Sequence, residues 1–176
     1  MMVQSDRIEG QYADAKDLYQ YLLDHNEVSY ATYIDDVYKK VLLLSAASYF
    51  EKKISAILLN FASKVSKSDQ RLVKLIDNKV IQRQYHTLFD WNRNNSNPFW
   101  SLFGEELKTA ARGKIDKSDE LKDAEHAFLK LGQQRNLLVH ENFAEFTVNT
   151  MTVDEIYYTY KKACKFVEFI AEEFSN

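Results

Sequence analysis

The sequence predicts an all-α protein, a bundle of four to five main helices with a short helical or loop insertion. Three observations carry this. Glycine and proline are scarce: four Gly and one Pro in 176 residues, about 3% together, where average usage is roughly 12%. Sandwiches, barrels and Rossmann folds draw on those residues for their many tight turns. Apolar residues recur in steps of three and four along most of the chain, the spacing of a buried helical face. Finally, 45% hydrophobic and 28% charged residues, with 11 Tyr and 11 Phe, supply a core for one ordinary domain.

The elements follow in order. Tyr12, Ala15, Leu18, Tyr19 and Leu22 predict a first helix over 11–25, ended by His25-Asn26. A long helix is expected from near Ser29 to about Lys64, with the stripe Leu43, Ala47, Phe50, Ile54, Ile57, Phe61 and Val65 and apolar flanks around Leu42, Leu44, Leu58 and Leu59. A helix apolar on most sides belongs in the middle of a bundle. Ser66 or Ser68 can cap a third helix running to about Leu88. The loop-like stretch is Asn92-Arg93-Asn94-Asn95-Ser96-Asn97-Pro98, followed by Phe99, Trp100, Leu102 and Phe103, then a basic segment from Lys108 to Lys117. Ser118 opens a helix to about residue 141. Thr152-Val153-Asp154-Glu155 is a Thr-x-x-Glu capping box that starts the last helix, whose stripe is Val153, Ile156, Tyr160, Ala163, Val167, Ile170 and Phe174.

Other counts narrow the function classes. A single cysteine, Cys164, excludes a disulfide framework and a cysteine-built zinc site, and its place on an apolar flank suggests a packed, inert thiol. His25, His86, His126 and His140 are too scattered to suggest a metal site. No apolar run reaches the roughly 18 residues of a membrane span, and the N-terminus lacks the blocks of a signal peptide, so a cytoplasmic protein is expected. The net charge of −3 is uneven: residues 1–38 carry −6, residues 52–117 carry +7 and residues 118–176 carry −5. A basic middle suits phosphate binding, although solvated helix faces that pair with their neighbours give the same count. Arg112-Gly113-Lys114 is not a P-loop, because no Gly stands five positions before Gly113 and Ile115 replaces the Ser or Thr. No Gly-x-Ser-x-Gly elbow is present.

One helix breaks its own pattern. The stripe of the 118–141 helix runs Leu121, Ala124, Phe128, Leu131, then Arg135 and Leu138. A guanidinium at a core register is expensive unless paired or open to a cleft. Gly132, inside the same helix, costs about 1 kcal/mol relative to Ala. Such inconsistencies gather at functional sites. Asn136 and His140, four apart, share a face, and Arg135 can lean toward their edge. Leu137 points away from the stripe, which suggests a second contact surface such as a dimer interface. Simpler readings exist: Arg135 could pair with Glu141 or Glu145, and His140 could serve as a helix C-terminal cap.

Arg135-Asn136-x-x-x-His140 resembles the Arg-x4–6-His motif of the HEPN superfamily, including the polar residue directly after the Arg. In that superfamily a long helical bundle carries the motif on a late helix, followed by a short loop and a final amphipathic helix. The stretch from Phe99-Trp100-Ser101-Leu102-Phe103-Gly104, through Leu129-Lys130-Leu131-Gly132-Gln133-Gln134-Arg135-Asn136-Leu137-Leu138-Val139-His140, to Ala163-Cys164-Lys165-Phe166-Val167-Glu168-Phe169 is most similar to the RiboL-PSP-type HEPN subgroup. The resemblance spans roughly residues 28–174. It frames residues 1–176 as one HEPN-like domain, with 28–174 as bundle core and 1–27 as an N-terminal helical extension outside the resemblance.

The resemblance implies a metal-independent, cofactor-free endoribonuclease, a toxin or phage-defence effector. It acts as a homodimer whose two motif helices meet at one cleft, with an antitoxin or defence-system protein as a further partner. It assigns Arg135 and His140 as catalytic and Asn136 as supporting. The chemistry is attack of a ribose 2′-OH on the adjacent phosphate. His140 would handle protons, since an imidazole titrates near neutrality, and the guanidinium of Arg135 would hold the phosphate. Lys108, Arg112, Lys114 and Lys117 are the candidate RNA-binding cations of the basic segment. Trp91, Phe99 and Trp100 could stack on bases, or else anchor the loop to the core. The rival function is a catalytically inactive HEPN domain that binds a protein or nucleotide; a structural helical adaptor is a third.

Overall fold

The computed structural model describes residues 5–82, 85–141, 147, 148 and 150–175. Every regular element among them is helical: α1 (Ser5–Asp24), α2 (Val28–Val65), α3 (Gln70–Ile76), α4 (Asn97–Ser101), α5 (Glu105–Asp116), α6 (Asp119–His140) and α7 (Val153–Glu173), with a π-helical turn at Asp77–Ile81 and a 3-10 turn at Tyr85–Thr87. None of the described helices is long and apolar enough to cross a membrane.

Local sequence sets the ends of these helices. Asn26, at φ 60°, stops α1 with the paired bonds of a Schellman turn: Glu27 N–H donates to Leu22 O and Asn26 N–H to Leu23 O. The end of α2 repeats the arrangement. Ser68 N–H donates to Ser63 O and Lys67 N–H to Lys64 O, with Lys67 and Ser68 both left-handed. Neither Ser66 nor Ser68 therefore caps α3. Asp69 does, its Oδ1 accepting from Arg71 N–H at 2.9 Å. The single third helix expected to run to Leu88 is instead broken. After Ile76 the turn widens, and Gln82 N–H reaches Asp77 O, five residues back, at 2.9 Å. Pro98 sits in the first turn of α4, where its missing N–H removes no helical bond. Ser118 accepts from Leu121 N–H at 3.2 Å. The capping box before α7 closes both ways, Glu155 N–H to Thr152 Oγ1 at 3.1 Å and Thr152 N–H to Glu155 Oε2 at 2.7 Å.

The chain forms two compact units, to both of which α2, α6 and α7 contribute residues. The first comprises Met1–Tyr49 and Leu131–Lys161. Its core holds Leu42, Leu43, Leu131, Leu138, Ile156 and Tyr160. Helix α1 is tied into this unit. The Tyr12 ring stacks on Tyr157 at 4.0 Å, and the Tyr12 hydroxyl donates to Asp154 at 2.7 Å. Lys16 bonds the same carboxylate at 2.9 Å. These contacts hold the Asp154 carboxyl below its usual value, through Lys16 first and Tyr12 second. The Tyr12 phenol is raised, chiefly because it donates to that carboxylate.

The second unit comprises Phe50–Lys130 and Lys162–Asn176. Aromatic rings fill it. Phe89 stacks on Phe99 at 4.6 Å, and Phe128 meets Phe89 edge-on at 4.9 Å. Phe174 packs on Phe103 at 4.7 Å and on Phe61 at 5.0 Å. One carboxylate lies inside. Glu125, 1% exposed, accepts from Ser96 N–H at 2.8 Å and from Ser96 Oγ at 2.5 Å. Both its oxygens lie 3.0 Å from one guanidinium nitrogen of Arg112. Arg112 Nε bonds Asp116 at 2.9 Å, and Trp100 Nε1 donates to Ser96 Oγ at 2.8 Å. A buried charge survives only with such compensation.

Two outcomes are expected. Glu125→Ala lowers stability by about 3–5 kcal/mol, the usual effect of orphaning one member of a buried pair, measured by urea unfolding; replacing Glu125 and Arg112 together by Leu and Met recovers most of that loss. The lowered Asp154 carboxyl contributes stability above the ordinary carboxylate pKa near 4 and loses it as pH falls through its folded value. Because the side chain is 44% exposed, the contribution is at most about 1 kcal/mol. Asp154→Asn should flatten the acid limb of the stability–pH profile and leave the neutral plateau within that margin.

Candidate functional site

Helix α6 carries the Arg–His motif. Asp119 and Glu120 in its first turn complement the positive end of the helix dipole, and the helix runs unbroken through Gly132 to His140, its last residue. In the first unit Leu131 and Leu138 are fully buried, and the slot between them is filled by Gln134 rather than Arg135. The Gln134 carboxamide oxygen accepts from Thr150 Oγ1 at 3.1 Å. The core-register position expected for Arg135 is thus a half-buried edge.

The three motif residues occupy this end of α6 in graded exposure: Arg135 and Asn136 half-buried, His140 exposed. Arg135 Nη1 donates to Asn136 Oδ1 at 3.2 Å. That carboxamide, rather than Glu141, holds the guanidinium in the structure; the other proposed acid, Glu145, lies outside the described residues. Among the described residues the bond uses one of five guanidinium donors, and the rest of the planar fork suits an anion. Asn136 and His140 are one turn apart on the same face. Beside them Leu137 is 42% exposed and Val139 is also exposed, so the helix end presents apolar side chains next to its polar ones.

The other candidates belong to the second unit. Lys108 bonds Glu105 at 2.7 Å within α5, and Lys114 bonds Glu173 at 2.6 Å. Lys117, the C-terminal residue after α5, is exposed. Arg112 serves Glu125 and Asp116, as described above, so its charge is largely committed inside its own unit. Of the aromatics, Phe99 and Trp100 are wholly buried and anchor the core instead of offering a stacking face. Trp91 is half-buried, donates Nε1–H to His86 O at 2.9 Å and packs 5.2 Å from Phe89. Cys164 is half-buried. The buried polar residues Glu125 and Gln134 escaped sequence reasoning. Glu125 follows Ala124, and Gln134 precedes Arg135, so in each case the helix buries a position one step from the expected stripe; the one available signal was a polar residue adjoining an apolar row.

The described geometry gives an arginine fork with its carboxamide and an exposed imidazole at the end of a late helix, ahead of a capped amphipathic last helix. The family model described as RiboL-PSP-HEPN matches residues 11–176. The chain belongs to the RiboL-PSP HEPN family. The match begins at residue 11 and so takes in most of α1. No curated protein and no solved structure matches the chain. Membership supports a nuclease-like or RNA-related helical module, in a superfamily in which ribonucleases are frequent.

The Gln134–Thr150 bond ties α6 to the segment that leads into α7. Thr150→Val leaves a buried carboxamide oxygen without this donor and should lower stability by about 1–3 kcal/mol, read from the denaturation midpoint.

Proposed function

We propose that the protein is a metal-independent endoribonuclease in which Arg135 and His140 act at a cleft between two copies of the chain, serving as a toxin or defence effector. The observation that carries the reading is the end of α6: a half-buried guanidinium fixed by its neighbour's carboxamide, with an exposed imidazole one turn beyond that carboxamide.

Each group suits a need of the reaction. A 2′-OH attacks the adjacent phosphorus; the new P–O bond closes a 2′,3′-cyclic phosphate as the bond to the 5′-oxygen breaks. The imidazole of His140 accepts the 2′-OH proton or delivers one to the leaving 5′-oxygen, a contribution typically worth about 10²–10⁴-fold. The Arg135 fork neutralises the charge that grows on the equatorial oxygens. Asn136 limits the rotation of that fork. One imidazole cannot be base and acid in the same instant, so a second motif from another copy completes the set, and the exposed Leu137 and Val139 offer the apolar contact for that pairing. DNA lacks the nucleophile and is spared. For the phosphate track Lys117 is the exposed cation, while Lys108 and Lys114 would have to exchange Glu105 and Glu173 for phosphate; Arg112 contributes there only through the part of its guanidinium left outside the Glu125 pair.

The test uses purified protein and structured RNA in EDTA. Cleavage with 2′,3′-cyclic phosphate and 5′-OH ends is expected. His140→Ala and Arg135→Ala should each lose about 10²-fold or more, with unchanged melting curves. Plain 3′-OH ends, or equal activity of the His140→Ala variant, would overturn the mechanism. Leu137→Glu should shift the protein toward monomer in sedimentation and lower cleavage in parallel.

A further inference from the structure

The second unit carries an apolar groove of about 560 Å³ that the motif does not involve. One wall is a face of α2, with Leu58, Phe61 and Val65 spaced by three and four. The opposite wall is Leu72, Ile76 and Val80, in steps of four across α3 and the π-helical turn. Leu102, after α4, closes one side. The rim is open: Leu102 is 58% exposed, and Val65, Leu72 and Val80 are exposed as well. Large contiguous apolar surfaces of this kind mark interaction sites, and π-helical turns recur at functional positions.

Charge narrows the occupant. Residues 64–82 carry Lys64, Lys67, Arg71, Lys74 and Lys79 against two acids, Asp69 and Asp77. Asp69 is bound by Arg71 at 2.6 Å, and Asp77 accepts from the Gln82 amide at 3.0 Å. The ammonium of Lys79 stands in the groove lining itself. The groove is therefore apolar with one lining cation, Lys79, in a segment of net positive charge. Its two facing walls, each about two helical turns long, match the i, i+3/i+4, i+7 spacing by which an amphipathic helix seats in a groove. Walls so open to solvent would leave a single acyl chain half wet.

We propose that this groove docks an amphipathic helix of a partner protein, apolar on the buried face and acidic along its flanks. The site is independent of Arg135 and His140 and does not rest on the nuclease reading.

A displayed library of helical peptides of about fifteen residues, a length that covers four turns, is selected against the full chain. Enriched peptides should carry apolar residues at i, i+3/i+4 and i+7 with Asp or Glu beside them. Their affinity, read by fluorescence anisotropy, should weaken several-fold with added salt as expected for exposed charge pairs. Leu102→Asp and Lys79→Glu, both at exposed positions, should each reduce binding at least about tenfold with melting curves unchanged. Binding should be retained by His140→Ala, which separates this site from the catalytic proposal. The proposal is overturned if no peptide is enriched, if basic or uncharged peptides dominate, or if Leu102→Asp binds the selected peptides as well as wild type does. Self-association abolished by Leu102→Asp would identify a second copy as the occupant and equally overturn it.

Discussion

The second unit is organised around one ionised group out of water. Glu125 is buried, and a carboxylate there is tolerable only with its acceptor sites filled. The filling comes from three directions in sequence: the backbone and hydroxyl of Ser96, the guanidinium of Arg112, and, at one remove, the Trp100 indole through the Ser96 hydroxyl. Loop, α4, α5 and α6 are thereby fixed to one point. Apolar packing alone would accept several rotations of short helices such as α4; a carboxylate with directional bonds accepts far fewer. The role of Arg112 follows from the same constraint, since a cation that must neutralise Glu125 has little freedom to leave it.

The division between the two units also separates two kinds of chemistry. In the first, the polar groups at the end of α6 are loosely held: Arg135 by one neighbouring carboxamide, His140 by none of the described bonds. In the second, most of the cations of α5 already have acids. Among the described residues, the end of α6 keeps guanidinium donors beyond the one given to Asn136. A half-buried guanidinium with part of its fork open is better prepared for an anion than a lysine on a surface helix, because less side-chain freedom remains to be lost on binding.

What the sequence made legible was local. The α7 stripe and its capping box are recovered residue for residue, because Thr152 and Glu155 are three apart and the stripe depends only on helical repeat. The helix that carries Arg135, Asn136 and His140 was legible for the same reason. Long-range events were not. Glu125 meets Ser96, 29 positions away, a contact no helical spacing announces. The cap of α3 moved to Asp69 because Lys67 and Ser68 turn left-handed, and periodicity carries no information about that. Beside a polar loop, the sequence leaves Phe99 and Trp100 open to either role, stacking platform or anchor to the core; burial is decided by the partners that close over them, here Phe89, Phe103, Phe169 and Phe174.

The left-handed residues bear on the denatured chain. Asn26, Lys67 and Ser68 hold positive φ without being glycine, a conformation that costs an L-residue roughly 1–2 kcal/mol. A glycine at those positions would relieve the strain but would also give the unfolded ensemble more conformations to lose on folding. By keeping side chains at three of its reversals, the protein keeps its denatured state narrower. The scarcity of glycine that marks the composition is therefore also a restraint on chain entropy, acting where no folded contact records it.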